Sequence, residues 1–95
     1  MNLRDKAYIK VALNEHATVN DINKAALAQA IRAEHDIVHW ENDEHSPESV
    51  KHGEIRGAAR YRDASISILA IGTGISFQSW LDIVRAIVVE DYTDE

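Results

Sequence analysis

Residues 18–41 read TVNDINKAALAQAIRAEHDIVHWE, and this stretch is the clearest indication in the sequence of a helical fold. Its apolar residues recur at steps of three and four, which is the spacing of one face of an amphipathic helix. Thr18 can cap such a helix, and Asp21 favours its first turn. The pattern therefore predicts a long helix that ends at about Glu41. Its apolar face comprises Val19, Ile22, Ala26, Ala30, Ala33, Ile37 and Trp40.

A second long helix is predicted to follow after a short connection at Asn42–His45. Ser46-Pro47-Glu48 offers a cap, a proline suited to the first helical position and an acidic first turn. Gly72-Thr73-Gly74 ends the helix, because glycine readily adopts the left-handed conformation of a helix end. The short connection makes the two helices an antiparallel hairpin. The predicted packing stripe is Val50, Gly57, Tyr61, Ala64 and Ile68, flanked by Ile55, Ala58, Ile66 and Leu69.

Shorter helices are predicted at both ends of this hairpin. The segment from Leu3 to Leu13 fits strand alternation as well as helical spacing, and a helix is favoured because no second strand is available to pair with it. Ser76 or Ser79 caps the last helix, whose apolar face is widened by Ile83 and Val89. We therefore expect one all-α domain over residues 1–95. Because a two-helix core is small, we also expect a homo-oligomer.

Composition and charge exclude several classes of function for this protein. Ten Lys and Arg against sixteen Asp and Glu give a formal charge of −6, which argues against a nucleic-acid partner. The chain has no cysteine, so thiolate chemistry and disulfides are excluded. It shows neither a signal-peptide pattern nor an apolar run long enough to cross a membrane, so we expect a cytoplasmic protein without membrane contact.

Carboxylates on the predicted inner faces are the strongest candidates for chemistry. Glu34 and Glu41 fall within the apolar arc of the first long helix, and a hairpin turn at Glu44 would bring Glu34 close to Glu54. Buried carboxylates need a partner. They could pair with Arg62 and Lys51, lie at a solvated edge of the groove, or hold Mg²⁺ or Mn²⁺ as carboxylates of helical bundles do.

Two histidines form a weaker candidate metal site. His35 and His39 have the i, i+4 spacing of helical zinc motifs, but Asp36 stands where the catalytic Glu of that motif would follow the first histidine. Both are predicted on the polar side of the helix, where two solvated histidines are the simpler interpretation. Zn²⁺ is therefore a less favoured ligand than Mg²⁺ or Mn²⁺.

The run from Trp40 to Pro47 resembles the end of a recognition helix in a helix-turn-helix regulator. The resemblance fails at Arg32, which occupies the tight-turn position where glycine is wanted. The would-be recognition helix also carries Glu34, Asp36 and Glu41 without a Lys or Arg, so it would repel phosphates.

The sequence completes no catalytic set, so we expect a small, acidic, non-catalytic protein without a cofactor that oligomerises and binds or regulates another protein. The acidic end of the hairpin suits a basic partner. The alternatives are a hydrolase of nucleotide phosphates that uses a divalent metal at Glu34, Glu41 and Glu54, and a degenerate helix-turn-helix regulator. The predicted interaction surface consists of Trp80, Ile83, Ile87, Val89, Asp43 and Glu44.

Overall fold

The computed structural model describes residues 21–93, with side chains described for residues 21–90. Three helices make up this region: α1 (Asp21–Glu41), α2 (Glu48–Thr73) and α3 (Phe77–Thr93). The predicted all-α fold is confirmed, and α1 and α2 form the hairpin. The helix predicted over 3–13 and the cap at Thr18 lie outside the described residues. None of the described helices is long and apolar enough to cross a membrane.

Helix α1 packs with the face that its spacing predicts. Ala26, Ala30, Ala33 and Ile37 are buried, and the helix ends at Glu41 as expected. Small alanines at these positions leave room for a neighbouring helix to come close. Ile22 departs from the prediction, since 71% of it is exposed at the start of the described chain.

The connection between α1 and α2 is organised by Asp43. One of its carboxylate oxygens accepts hydrogen bonds from the backbone N–H groups of His45 at 2.8 Å and Ser46 at 3.3 Å. The other accepts a bond from the Ser46 hydroxyl at 2.6 Å. Ser46 is therefore engaged with Asp43 and does not cap α2. Pro47 takes the cap position instead, and its carbonyl accepts the N–H groups of Val50 and Lys51 at 3.1 Å. The predicted cap at Ser46 is wrong.

Helix α2 packs on a different face from the predicted one. Its buried residues are Arg62, Ser65, Ile66 and Leu69. The predicted stripe faces outward instead: Val50 is 45% exposed, Tyr61 52% and Ile68 48%. Ile66 and Leu69, which were predicted only to flank the packing stripe, thus belong to the packed face. The predicted stripe itself lies on the outside of the helix.

Glycine and serine set the junction between α2 and α3 as expected. Gly74 has φ of 76°, in the left-handed region, and its N–H donates to the carbonyl of Ala70 at 3.0 Å. Ser76 caps α3 by accepting the N–H of Ser79 at 3.2 Å. Without a Cβ, Gly74 turns the chain at little conformational cost and lets α3 fold back on the hairpin.

Helix α3 closes the core over α1 and α2. Trp80 and Val84 have no exposed surface, and the indole Nε1–H of Trp80 donates to the hydroxyl of Thr73 at 2.8 Å. Ile87 is also buried. Trp80 and Ile87 therefore belong to the core of the chain and not to a surface, which corrects two members of the predicted interaction surface. The buried cluster contains Ala26, Leu27, Ala30, Ile31, Ile66, Leu69, Ile75, Trp80, Leu81, Val84, Ile87 and Val88.

Candidate functional site

Glu34 is the one predicted metal-ligating carboxylate that is buried, and its partner is an arginine. Nη1 of Arg62 donates to Oε2 of Glu34 at 2.9 Å, and about a tenth of each side chain is exposed. Nε of Arg62 donates to Asp63 at 3.0 Å, and Nε of Arg85 lies 3.8 Å from Glu34. The expected pairing of an inward carboxylate with Arg62 is present. It joins all three helices, since Arg85 belongs to α3.

The ion pair also keeps Arg62 charged. Burial alone would lower the pKa of Arg62, but the hydrogen bonds to Glu34 and Asp63 outweigh it, and the pKa lies above its ordinary value. A positive guanidinium against a carboxylate leaves Glu34 without a free charge for a cation. The chemistry of this site is therefore that of a structural ion pair.

The hairpin register keeps the other acids away from Glu34. Glu34 lies against Arg62, and further along Asn23 lies against Gly72. The predicted register, which placed Glu34 near Glu54, is therefore wrong by about two turns of α2. Glu54 is exposed and lines an open groove between α1 and α2.

Glu41 and Lys51 also lie apart from the predicted site. Glu41 is exposed at the end of α1. Lys51 reaches Glu48 at 3.7 Å, within its own helix. Lys51 thus makes its ion pair with an acid that the prediction did not consider.

The histidines lie on the polar side of the hairpin. His39 is exposed, and its ring meets that of Trp40 edge to face at a centroid distance of 5.5 Å; His35 is half-buried. His52 lies 3.5 Å from Glu48 on the exposed surface. Nowhere in the described part of the chain do three His, Asp or Glu side chains come together in a way that could hold a metal ion.

The end of the hairpin carries an acidic surface. Glu41, Glu44 and Glu48 are exposed, while Asp43 is half-buried by its turn. The hydrogen bond from the Ser46 hydroxyl, followed by that from the His45 N–H, holds the pKa of Asp43 below its ordinary value. A stably ionised carboxylate in a fixed turn gives this end a persistent negative charge. Asp43 and Glu44 of the predicted interaction surface lie here.

The most exposed apolar surface lies on α2. Four of the six large hydrophobic residues that are exposed in the described chain belong to this helix. Ile71 is 86% exposed, more than any other of the six. We call this surface the outer face of α2, consisting of Val50, Gly53, Glu54, Gly57, Tyr61, Ala64, Ile68 and Ile71. Of the predicted α3 surface, Val89 is 59% exposed and Ile83 half-buried.

A groove adjoins the outer face between α1 and α2. Its volume is about 390 Å³, and Trp40, Gly53, Gly57 and Tyr61 are among the residues that line it. A Cβ atom placed on Gly53 or Gly57 would meet nothing within 4 Å. The two glycines therefore leave a shallow open path that another helix can approach closely.

The sequence contained the signal for this outer face. The stripe of Val50, Gly57, Tyr61, Ala64 and Ile68 was expected to pack inside the hairpin, but an apolar stripe does not say whether its partner belongs to the same chain. Ile71 continues the same spacing and was missed.

Comparison with known protein families, curated protein sequences and solved structures finds no match to this chain.

Proposed function

We propose that this chain is a non-catalytic protein that self-associates and binds or regulates another protein. The observation that supports it is the outer face of α2, an apolar helix face left exposed although the same helix buries a different face through Arg62, Ser65, Ile66 and Leu69. Surface helices of self-sufficient domains are polar on the side away from the core. A row of exposed apolar side chains on one helix face is typical of a contact surface.

The magnitude of the exposed surface agrees with a binding role. Val50, Tyr61, Ile68 and Ile71 are each about half or more exposed. Full burial of such a side chain contributes about 1.5–3 kcal/mol, so covering what remains exposed is worth roughly 1 kcal/mol or more for each. A partner that covers all four would gain several kcal/mol before the costs of association.

The acidic end of the hairpin supports a basic partner. Glu41 and Glu44 project from one end of the molecule, and Asp43 keeps its charge in the turn, while the charge of Glu48 is shared with Lys51. Exposed charges of one sign speed the encounter with an oppositely charged surface and suppress contact with acidic ones. In this proposal the apolar outer face supplies affinity, and the acidic end directs the partner. None of the described contacts favours the hydrolase or the helix-turn-helix alternative.

Affinity capture with matched variants tests the proposal. The tagged full chain, Ile68→Asp and Ser67→Asp are expressed at equal levels, and captured proteins are quantified by mass spectrometry. Ser67 is exposed on the same helix but outside the outer face. We expect Ile68→Asp to lose captured protein at least tenfold while Ser67→Asp retains it. Equal capture by all three chains would contradict a contact role for the outer face.

A second pair of variants tests the acidic end. Glu44→Lys and Asp82→Lys change the net charge equally at exposed positions, one on the hairpin turn and one on α3. Only Glu44→Lys is expected to weaken capture of a basic partner, and raising the salt concentration should weaken wild-type capture in the same direction. Equal losses from both variants would show that net charge, and not the acidic end, matters.

A further inference from the structure

We propose that the groove between α1 and α2 binds arginine side chains of a basic protein partner. This inference rests on the proposed function and names the chemical group that such a partner presents to the chain. It is supported by the aromatic rings that line the groove, by the carboxylates beside them and by the register that sets one against the other.

Two aromatic rings line the groove, one from each helix. Trp40 of α1 is half-buried, and Tyr61 of α2 is 52% exposed. The groove has a volume of about 390 Å³, and a Cβ atom on Gly53 or Gly57 would meet nothing within 4 Å. Both rings are thus accessible to a group that enters from outside. The face of an aromatic ring attracts a cation, most often the guanidinium of an arginine.

Two carboxylates line the same groove, and each helix again supplies one. Asp36 of α1 and Glu54 of α2 are both exposed. Within residues 21–90 neither carboxylate makes an ion pair or a side-chain hydrogen bond, in contrast to Glu34, which is held by Arg62. The lining residues that the structure describes include no Lys, Arg or His. The negative charge of the groove is therefore not neutralised from within the described chain, and it favours a cation from a partner.

The register of the hairpin places each ring across the groove from a carboxylate. Counted from the buried ion pair between the antiparallel helices, Asp36 is level with Tyr61 to within about one residue, and Trp40 with Glu54 to within about two. A guanidinium is planar and weakly hydrated, so it can stack on a ring while its N–H groups donate to the carboxylate opposite. The ammonium of lysine is a compact and strongly hydrated charge, which stacks less well. The groove therefore suits arginine better than lysine.

NMR titration of the full chain with the acetylated and amidated peptide Arg-Gly-Arg tests the assignment. The two levels of the groove are roughly 6–10 Å apart along the helix axis, a distance within reach of the alternate side chains of an extended peptide. We expect the indole N–H resonance of Trp40 to shift with peptide concentration, while that of the buried Trp80 stays in place. The peptide with lysine at both positions should bind at least about threefold more weakly, and the peptide with uncharged citrulline should not bind.

Matched variants assign the binding to the groove. Asp36→Asn and Glu54→Gln should each weaken peptide binding about threefold to tenfold, because each removes the carboxylate from one level. Tyr61→Leu keeps an apolar side chain without a ring face and should weaken binding about threefold. Asp82→Asn changes the net charge equally at an exposed position of α3 and should leave the affinity within about twofold of the wild type.

Four outcomes would overturn the inference. An indole resonance of Trp40 that does not shift at millimolar peptide would show that the groove does not bind cations. Equal losses in Asp36→Asn and Asp82→Asn would assign the binding to net charge alone, and equal affinity for the lysine peptide would remove the role of ring stacking. A Trp40 resonance that moves on Arg4→Gln without any peptide would assign the groove to residues 1–20 of the same chain.

Affinity capture separates this inference from the proposed function. A chain that carries both Asp36→Asn and Glu54→Gln should lose a captured basic protein that Asp82→Asn retains. Undiminished capture by the double variant would overturn the inference and leave the proposed function standing. If instead the wild type captures no protein although Arg-Gly-Arg shifts Trp40, the proposed function fails while the groove still binds arginine.

Discussion

The carboxylate of Glu34 and the guanidinium of Arg62 meet at 2.9 Å inside the hairpin, 28 residues apart in the chain. This contact fixes which turn of α2 faces which turn of α1. Shifting the register would leave a charge buried without its partner, at a cost of several kcal/mol. The pair is therefore the main device in the described chain that selects one register among the many that two alanine-rich helices allow.

A double-mutant cycle on this pair tests its role. Glu34→Leu and Arg62→Met should each reduce the free energy of unfolding by about 2–4 kcal/mol, because each leaves the other charge buried without its main partner, with only Asp63 near Arg62 or Arg85 near Glu34. The loss of unfolding free energy in the double variant should be smaller than the sum of the two single losses by at least ~1 kcal/mol, since neither member of the pair is then left without the other. Urea denaturation followed by circular dichroism measures all four chains. Additive losses would contradict the coupling.

Gly72 should resist substitution where Gly53 does not. A Cβ on Gly72 would stand 3.1 Å from Cγ of the buried Asn23 and closer still to its Oδ1. Gly72→Ala should therefore cost about 1 kcal/mol despite the better helix propensity of alanine, because Asn23 must move. Gly53→Ala should raise the free energy of unfolding by at most ~1 kcal/mol when it is measured in dilute protein, where self-association contributes little. Thermal unfolding compares them, and equal effects would contradict the close approach at Gly72.

Asp43 should make stability depend on pH in the acid range. Its folded pKa lies below the ordinary value of 3.8, so its contribution is complete above that value and is lost as the pH falls through the folded pKa. Asp43→Asn should therefore have a lower melting temperature than the wild type at pH 6. The difference between the two melting temperatures should shrink towards pH 2. Melting curves of both chains across this range measure the gap. A gap that stays constant would show that the charge of Asp43 plays no part.

The two tryptophans should differ in their effect on stability. Trp80 is fully buried and donates a hydrogen bond to Thr73, whereas Trp40 is half-buried beside His39. Trp80→Phe should cost about 2 kcal/mol through the lost hydrogen bond and the space it leaves, and Trp40→Phe less than ~1 kcal/mol. Urea denaturation of both variants decides this. A larger loss at Trp40 would contradict the position of Trp80 in the core.

Local signals were enough to predict the helices. The spacing of Ala26, Ala30 and Ile37 predicts both the existence of α1 and its buried face, because apolar residues recur on that face at steps of three and four. The left-handed preference of glycine predicts the end of α2 at Gly74, where the backbone has that conformation. Such features depend on a few neighbouring residues and need no knowledge of the rest of the fold.

The packed face of α2 could not be predicted in the same way. This helix has two apolar stripes, and the one with larger exposed side chains, such as Tyr61 and Ile68, was the natural candidate for the core. The structure packs the other stripe because it carries Arg62, which must meet Glu34. Choosing between the stripes requires the register, and the register depends on a contact between residues far apart in sequence.

Cysteine crosslinking at Gly57 most directly tests whether the outer face of α2 is a contact between two copies. The chain has no cysteine of its own, and the site has space for a side chain. Two sulfurs join only when their Cβ atoms lie about 3.5–4.5 Å apart, so a crosslink reports the close approach of two outer faces at this position. On mild oxidation Gly57→Cys should become largely disulfide-linked dimer, while Ser67→Cys stays monomeric. Equal crosslinking of the two variants, or none in either, would contradict the interface.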